Sequence, residues 1–283
     1  MSAPEGLLLV DKPIGVTSHD VVDMVRRALG TRKVGHAGTL DPMAGGLLIL
    51  GVGRATRLLR FLGDLPNTYE GTAHLGIETT TLDADGEVTA VLPVAVRTDD
   101  VREAMASLVG DSMQLPPAYS AVKVGGRKLY EAARKGELLE AAPRRIRVDA
   151  FELLIMRTPD VGFRVVCSGG TYVRVLLADV GSALGCGAHL TALRRTAIGP
   201  FSVLDGVDPA APGEPLPLER AVAHLPRLDL GVDEAVAAGH GRVLGPTGIA
   251  GPYAVFGPDG RLIGIYADDG SKARPEMIVA AEV

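Results

Sequence analysis

The apolar run GGLLILGVG, residues 45–53, limits the possible folds more than any other segment of this sequence. Glycines bound it at both ends, and such a short run between turn-forming residues is typical of a buried strand. A helix that spans a membrane needs about 18 apolar residues in succession, and no run in the sequence reaches that length. The run therefore predicts a strand inside the core of a globular protein that does not associate with a membrane.

The other predicted elements do not alternate regularly along the chain. Strand patterns occur in GLLLV (6–10), YEGTAHLGI (69–77), RIRVDAFELLIMR and FRVVCS. Helical patterns begin at Ser18 and end at Gly30, cover ATRLLRFLG up to Gly63, run from Asp99 or Asp100 to Val109, and cover 173–184. Because these elements follow no βαβ order, the predicted class is α+β, with a mainly antiparallel mixed sheet flanked by helices.

A proline-rich segment divides the predicted domains. Residues 206–228, GVDPAAPGEPLPLERAVAHLPRL, contain five prolines, a density typical of a connecting or covering segment. Beyond it, YAVFGPDGRLIGIYADDGS predicts two strands around a Pro-Asp-Gly turn. We therefore expect a large domain over 1–228 and a small β domain over 229–283.

The N-terminus and the cysteines indicate the cellular compartment. MSAPEGLLLVDKP lacks the charged start and long apolar stretch of a signal peptide. The two cysteines, Cys167 and Cys186, form no CxxC pair, which disfavours both a disulfide framework and a zinc site. We expect a reduced, cytoplasmic protein.

The net charge of −5 hides an uneven distribution. Residues 1–200 carry 23 Lys and Arg against 22 Asp and Glu, whereas the remainder carries 6 against 12. Basic residues of the first part are clustered at Arg26, Arg27, Arg32 and Lys33; Arg54, Arg57 and Arg60; Lys123, Arg127 and Lys128; Arg144, Arg145 and Arg147; and Arg194 and Arg195. Such clusters suit the neutralisation of phosphates, but solvated surfaces carry them too, so charge alone does not decide the partner.

Two segments carry residues suited to catalysis. In GHAGTLDP, residues 35–42, Asp41 is either a turn-forming Asp before Pro or a nucleophile kept ionised by a cation. In CSGGTYVRVL, residues 167–176, Arg174 flanks the apolar face of a helix and needs a carboxylate or phosphate partner. An ordinary structural ion pair explains Arg174 equally well at this point.

Two further segments have weaker signals. LPPAYSAVKVGGRKLYEAARKG, residues 115–136, places Lys and Arg among tyrosines after a Gly-Gly turn, which suits either a nucleic-acid surface or a solvated hairpin and helix. DKPIGVTSHD, residues 11–20, fixes Lys12 beside a loop that leads to a helix N-terminus. The sequence has no phosphate-binding loop and no metal-ligand spacing, so no metal site is predicted.

Taken together and in their order along the chain, these four segments resemble those of the bacterial tRNA pseudouridine-55 synthases, the TruB family. The resemblance is close over residues 6–201, and the last fifty residues resemble, more loosely, the small RNA-binding domain called PUA. It implies a pseudouridine-synthase catalytic core that converts uridine 55 in the T arm of tRNA to pseudouridine. The implied partner is the T stem-loop of tRNA, with no obligate protein partner. Because the reaction only moves the ribose bond from N1 to C5, no cofactor or metal is expected.

The resemblance also assigns roles to residues of this chain. Asp41 matches the catalytic carboxylate, Arg174 the arginine that pairs with it and lowers its pKa, and Tyr69 the tyrosine that stacks on the flipped base. The residues implied in holding the substrate or supporting the site are His36, Lys12, Leu193, Thr39, Tyr172, Lys123 and Arg127. Gly45 and Gly169 depart from the family pattern: the first is expected to loosen the loop after Asp41, and the second to remove a phosphate contact.

Three other functions remain open from the sequence. One is an RNA-binding or tRNA-folding protein with a vestigial site, which the presence of Asp41, Tyr69 and Arg174 disfavours. Another is a glycoside-type hydrolase with Asp41 as its nucleophile, which lacks an evident second carboxylic acid in the motifs. The third is a guide-RNA-dependent relative within the same superfamily, a form expected to carry terminal extensions that this sequence lacks.

Overall fold

The protein is described here by a computed structural model that covers residues 4–279 except 121, 134, 138 and 140. The strands of this part are, in chain order, β1 (Gly6–Lys12), β2 (Val34–His36), β3 (Ala44–Val52), β4 (Asn67–Leu75), β5 (Ile77–Thr79), β6 (Val88–Val91), β7 (Gly110–Gln114), β8 (Lys123–Val124), β9 (Arg127–Lys128), β10 (Arg144–Arg157), β11 (Asp160–Cys167), β12 (Ala188–Ile198), β13 (Phe201–Ser202), β14 (Arg227–Asp229), β15 (Pro252–Phe256), β16 (Leu262–Asp268) and β17 (Ala273–Ile278). The α-helices are α1 (Ser18–Leu29), α2 (Thr98–Ser107), α3 (Leu129–Ala133), α4 (Val173–Ala183) and α5 (Val232–Gly239). Three 3₁₀ helices cover Gly53–Leu62, Val203–Asp205 and Leu218–Val222.

One large mixed sheet forms the centre of the fold. Its strands lie in the order β1-β3-β12-β4-β11-β10-β7, with β2 paired to β3 and β13 to β12. The pairing of β12 with β3 is parallel, and the other pairs of this sheet are antiparallel. Every residue of β3 is buried, so the apolar run forms the predicted internal strand. The predicted α+β class with a mainly antiparallel mixed sheet is confirmed.

Helix α1 covers one face of this sheet. Its apolar residues Val21, Val22 and Val25 are buried with residues of β1 and β3 in one cluster. Thr17, not Ser18, caps the helix: its hydroxyl accepts from the backbone N–H of Asp20, whose carboxylate accepts from the Thr17 N–H. Gly30 ends the helix in the left-handed conformation, as predicted. Ser18 is thereby free for a different contact.

Three other predicted elements differ in detail. The segment up to Gly63 forms the 3₁₀ helix Gly53–Leu62 rather than an α-helix. The strand predicted over 69–77 breaks at Gly76, which separates β4 from β5. Helix α2 ends at Ser107, and Asp100 lies inside its first turn, accepting from the backbone N–H of Arg97 instead of capping the helix.

The proline-rich segment leads from the large sheet to a small one. It runs beside β1, where Val207 and Leu216 form isolated bridges to Val10 and Leu7. The small sheet has the order β14-β15-β16-β17, and its central hairpin encloses the predicted Pro-Asp-Gly turn. The domain boundary predicted after residue 228 falls inside β14, and it stays a prediction.

The cluster Arg54, Arg57 and Arg60 binds this small sheet. The three side chains project from the 3₁₀ helix Gly53–Leu62 and donate to the carbonyl oxygens of Val279, Ile278 and Glu276 at 2.7, 3.1 and 3.0 Å. The hydrogen bonds cover the edge of β17, whose exposed carbonyl groups would otherwise be open to pairing. The cluster therefore fixes the C-terminal sheet against the large one.

Gly71, in the middle of β4, permits the close packing of three strands. A Cβ atom there would lie 2.3 Å from the carbonyl oxygen of Ala192 on β12 and 2.8 Å from the Phe163 ring on β11. Gly71→Ala is therefore expected to lower the free energy of unfolding by about 1–3 kcal/mol through overpacking, as measured by urea denaturation. Gly245→Ala is the control, because a Cβ there meets nothing within 4 Å. Equal midpoints for the two variants would contradict this account of β4.

Candidate active site

A cavity of about 530 Å³ opens beside the loop that contains GHAGTLDP. Seven of the ten residues predicted for the site line it: His36, Thr39, Asp41, Tyr69, Tyr172, Arg174 and Leu193. They come from four separate parts of the chain, namely the loop before β3, strand β4, the start of α4, and strand β12. The volume suits a small-molecule or single-nucleotide group.

The loop that carries Asp41 is anchored on both sides. The hydroxyl of Ser18, the first residue of α1, accepts from the Leu40 N–H at 2.9 Å and lies 3.2 Å from the Leu40 carbonyl oxygen. On the other side, the N–H of Ala44, where β3 begins, donates to the Asp41 carbonyl at 3.0 Å. Asp41 is therefore held between a helix N-terminus and the start of the central strand, with its side chain 38% exposed towards the cavity.

Arg174 binds the carboxylate of Asp41. Its Nη2 lies 2.9 Å from Asp41 Oδ2, and its Nη1 lies 3.3 Å from Oδ2 of Asp83. The backbone carbonyls of Thr81 and Tyr119 accept from the same guanidinium at 2.9 and 3.2 Å. The Arg174 side chain is 4% exposed and that of Asp83 7% exposed. A buried guanidinium thus links the cavity carboxylate to a second carboxylate behind it.

The pKa of Asp41 differs from the prediction. We expected Arg174 to lower it, but the pKa is raised above the usual value, chiefly because the surrounding walls remove water from the carboxylate. Arg174 opposes this effect and Lys12 adds to the opposition, whereas the negative charge of Asp83 raises the pKa further. Because Arg174 is shared between two carboxylates, its charge does not fully offset the burial of Asp41.

Tyr69 forms part of the cavity wall beside a second arginine. It lies in β4 directly across from Arg195 of β12, and the Arg195 guanidinium carbon is 6.0 Å from the centre of the Tyr69 ring. Burial raises the pKa of the Tyr69 phenol, with Arg195 opposing the shift. Tyr69 is therefore a neutral phenol at neutral pH, which suits stacking on a base better than removing a proton.

His36 and Lys12 support the site in different ways. The Nδ1 atom of His36 lies 3.1 Å from the Gly38 carbonyl and must carry the proton, since a carbonyl oxygen only accepts; burial lowers the pKa of the ring. Lys12 is fully buried and lies outside the cavity lining, and burial lowers its pKa to about 8. Its Nζ donates to the carbonyls of Pro13 and Val16, so it holds a loop whose Gly15 N–H donates to the carbonyl of Pro42, next to Asp41, at 2.8 Å.

Lys123 and Arg127, predicted to contact RNA, do not line the cavity. They lie in the hairpin of β8 and β9, where Val124 pairs with Arg127 around the Gly-Gly turn. Lys123 is exposed to solvent, and Arg127 forms an ion pair with Glu137 at 2.7 Å. The neighbouring Ser120 and Val122 reach the cavity instead, because the chain passes its rim before the hairpin turns away.

Both departures from the family pattern have structural explanations. Gly45 is inside β3, where a Cβ would lie 3.3 Å from the Lys12 carbonyl and from the Ile14 side chain, so the expectation of a loosened loop is wrong. At Gly169 a Cβ would lie 2.1 Å from the carbonyl oxygen of Gly63. The chain at Gly169 therefore approaches the end of the 3₁₀ helix at a distance that no side chain permits.

The sequence analysis missed three residues of this site. Asp83 had no distinguishing signal, because only the fold brings it to Arg174. Arg195 was noted only in a basic cluster, although it lies two positions after Leu193 in a strand and such residues share a face. Arg144, the first residue of β10, was noted only as part of a basic cluster, but it also lines the cavity.

The cavity also collects polar atoms without partners. Among the described residues, six buried side-chain nitrogen or oxygen atoms have no hydrogen-bond partner, and four of them belong to residues of the cavity lining: Ser120, Arg144, Arg174 and Arg195. Unpartnered buried polar groups are costly in folded proteins. Their concentration here indicates a polar ligand.

Neither a metal cluster nor a membrane helix occurs in the part of the chain described. No three His, Cys, Asp or Glu side chains of residues 4–279, leaving aside the four gaps, come together to hold a metal ion. Within the same residues, no helix combines the length and apolar character required to cross a membrane.

Comparison with protein families covers almost the whole chain. The family model described as "TruB family pseudouridylate synthase (N terminal domain)" matches residues 26–173. The models described as "tRNA pseudouridylate synthase B C-terminal domain" and "tRNA Pseudouridine synthase II, C terminal" match residues 174–208 and 225–280. The resemblance stated from the four sequence segments is therefore confirmed.

Curated relatives and solved structures agree with these matches. The protein named tRNA pseudouridine synthase B in Mycobacterium sp. (strain KMS) is 46% identical to this chain, and the match covers 97% of this chain and 96% of that protein. The protein of the same name in Rhodococcus jostii (strain RHA1) is 47% identical, and the match covers 97% of this chain and 93% of that protein. A solved H/ACA RNP bound to a substrate RNA containing 2′-deoxyuridine has a TM-score of 0.73 at 26% identity, covering 98% of this chain and 85% of that one. A Cbf5-Nop10-Gar1 complex has a TM-score of 0.73 at 28% identity, covering 97% and 84%. With these matches over nearly its full length, the chain belongs to the TruB family of pseudouridylate synthases.

Proposed function

We propose that this protein converts uridine to pseudouridine in the T arm of tRNA, at position 55, with Asp41 as the nucleophile. The observation that carries the proposal is the ion pair between Asp41 and Arg174 at the wall of a cavity shared with Tyr69 and Leu193. A carboxylate bound by a buried arginine and open to a nucleotide-sized cavity is suited to attack, whereas RNA binding alone requires no anion beside phosphates. Family membership and the names of the relatives support the choice of tRNA.

The cavity suits a nucleotide that has left its stack. Extruding a base costs a few kcal/mol, which contacts inside an enzyme offset. We infer that Tyr69 stacks on the flipped uracil, with the apolar side chain of Leu193, across from Gly71 in the sheet, on another side of the base. We assign to His36, as a neutral imidazole at the mouth, the task of keeping the nucleotide out of its loop.

Two chemical routes are compatible with a nucleophilic Asp41. The carboxylate adds to C6 of the ring, or it captures C1′ of the ribose as uracil leaves through N1, in the manner of a retaining glycosidase. In both routes the bond from C1′ to N1 breaks, C1′ joins C5 after the base turns, C5 loses its proton, N1 gains one, and the carboxylate is released. The product is an isomer of the substrate, so the balance needs no further reactant.

A hydrolase of the glycosidase type is less well supported. Such an enzyme needs a second carboxylic acid at the scissile bond. The second carboxylate near Asp41 is that of Asp83, which is buried behind Arg174 and does not belong to the cavity lining. It therefore has no access to a leaving group in the cavity.

The test of the proposed function is direct. The purified protein is incubated with unmodified tRNA that carries tritium at C5 of uridine, and tritium release is followed. Isomerised uridines are then mapped along the same tRNA. We expect about one tritium per tRNA to be released and the new pseudouridine to lie at position 55. Release from another position would refute the T-arm assignment, and no release would refute the activity.

The acid side of the pH profile is a separate prediction. Attack requires ionised Asp41, so kcat/KM is lost as the carboxylate is protonated at low pH. Because the pKa of Asp41 is raised, this loss is expected at a higher pH than for an ordinary Asp, whose pKa is about 3.9. Asp83→Asn removes a negative charge that raises this pKa, so the acid limb is expected to move to lower pH. Asp85→Asn is the control, because Asp85 is exposed and contacts Asp83 through its backbone N–H. A limb that Asp83→Asn leaves in place would exclude Asp41 as the titrating group.

Two further parts of the prediction belong to this proposal. We place the protein in the cytoplasm, since Cys167 and Cys186 are both free and buried, as expected in a reducing compartment. We also propose that residues 1–228 carry the catalytic reaction and that the acidic C-terminal segment contributes a modest contact to the acceptor stem.

A further inference from the structure

Arg144 has properties that the proposed reaction does not use. It lines the cavity, yet its side chain forms no hydrogen bond or ion pair with another described residue, and its Nε is buried without a partner. The other arginines of the cavity wall are engaged: Arg174 by two carboxylates, Arg60 by Glu276, and Arg195 by the Leu47 carbonyl. A guanidinium has five N–H donors, so a cavity arginine without a partner leaves several of them for a ligand.

The guanidinium of Arg144 is fixed in place. Its central carbon lies 4.2 Å from the centre of the Tyr172 ring, a stacked arrangement. The Tyr172 backbone is in turn held at both its N–H and its carbonyl by the buried side-chain amide of Gln114, at 2.8 and 3.1 Å. Gln114 is also the partner of Arg144 across β7 and β10. These contacts lower the entropy that Arg144 would lose on binding a ligand.

The adjoining loop passes close to this guanidinium. A Cβ at Gly170 would lie 3.2 Å from Nη1 of Arg144, and the φ of +79° at this position favours glycine. Gly169 and Gly170 have no side chains, so the cation that this part of the loop lies against is supplied by Arg144 of β10.

The two neighbouring arginines provide a contrast. Arg145 and Arg147 both lie near the carboxylate of Asp111, at 3.2 and 3.6 Å, and Arg147 also binds Asp149. Neither belongs to the cavity lining, and the Arg145 side chain is 77% exposed. Of this basic cluster, Arg144 is therefore the member available to a ligand in the cavity.

We propose that Arg144 binds a phosphate group of the substrate RNA, one of the two that flank the reacting uridine. An arginine presents paired N–H donors that match phosphate oxygens, and Arg144 lines the cavity that receives the flipped nucleotide in the proposed reaction, together with the ribose to which its two phosphates are attached. The proposal rests on the proposed function, since it takes the ligand to be RNA with one nucleotide turned into the cavity.

The test compares Arg144→Ala with Arg145→Ala on a T-arm hairpin RNA. Binding and single-turnover isomerisation are measured over a range of salt concentrations. Arg144→Ala is expected to weaken binding about 10- to 100-fold and to lower the magnitude of the salt slope by about 0.7–0.9, the loss of one phosphate contact. Arg145→Ala is expected to stay within a few-fold of the unmodified protein. An unchanged salt slope in Arg144→Ala would overturn the proposal, because the removal of a side chain that only packs against Tyr172 would not change the number of counterions released on binding.

A second measurement locates the phosphate. The two phosphates beside the target uridine are replaced, one at a time, by uncharged methylphosphonates. On the RNA in which the phosphate bound by Arg144 has lost its charge, Arg144→Ala and the protein without the substitution are expected to bind equally tightly, because the contact is already absent, as in a double-mutant cycle. A full effect of Arg144→Ala on both RNAs would overturn the assignment to a flanking phosphate. Binding needs no turnover, so a protein that binds as expected but leaves uridine unchanged refutes the proposed function and not the phosphate site.

Discussion

Asp41→Asn is expected to lower the rate of pseudouridine formation by at least about 10⁵-fold, the scale seen when a nucleophile is removed from an enzyme. The amide has nearly the shape of the carboxylate but neither its charge nor its nucleophilicity. Because the cavity walls and Arg174 remain, binding of unmodified tRNA is expected to stay within a few-fold. The rate is measured by tritium release from C5-labelled uridine and the affinity by filter binding.

The control for this variant is Asp11→Asn. Asp11 is also an aspartate in an ion pair, 2.6 Å from Arg194, but it is partly exposed and lies outside the cavity lining. Its substitution is expected to leave the rate within about three-fold, since surface pairs contribute little. Full activity in Asp41→Asn would remove this residue from the chemistry, whatever the behaviour of the control.

Local sequence patterns predicted the central features of the fold well. Residues 45–52 of GGLLILGVG could be assigned to a buried strand because a short apolar run between glycines has few other solutions, and only Gly53 falls outside it. Helix α1 could be bounded because Gly30 is a strong C-terminal signal. The N-terminal boundary was less accurate, since both Thr17 and Ser18 suit a cap and only the tertiary contact of Ser18 with Leu40 distinguishes them.

The electrostatics of the site depended on information that the motifs do not contain. The partnership of Asp41 and Arg174 followed from the resemblance, but the direction of the Asp41 pKa shift did not. That direction is decided by how deeply the loop is packed and by Asp83, a residue 42 positions further along the chain. Burial and long-range pairing arise from the assembled sheet, so they could not be predicted segment by segment.

The ion pairs of Arg174 with Asp41 and Asp83 make Arg174→Met the substitution with the largest expected effect on stability. It leaves the buried carboxylate of Asp83 without its cation, a change that costs about 3–5 kcal/mol when one partner of a buried pair is removed. Activity is expected to fall by at least about 10²–10³-fold, because Asp41 loses the group that orients it. Urea denaturation and tritium release measure the two effects separately.

A double variant distinguishes the two consequences. In Arg174→Met with Asp83→Asn, the uncompensated buried charge is absent, so part of the lost stability is expected to return while activity stays low. If the single variant does not fold, Arg174→Lys tests the same idea, because a lysine keeps the charge but lacks the planar fork that binds Asp41 and Asp83 together. Recovery of both stability and activity in the double variant would show that Arg174 serves only to neutralise Asp83. Recovery of stability alone places its second role at Asp41, where Arg174 Nη2 lies 2.9 Å from one carboxylate oxygen and where we propose that the other oxygen attacks the nucleotide.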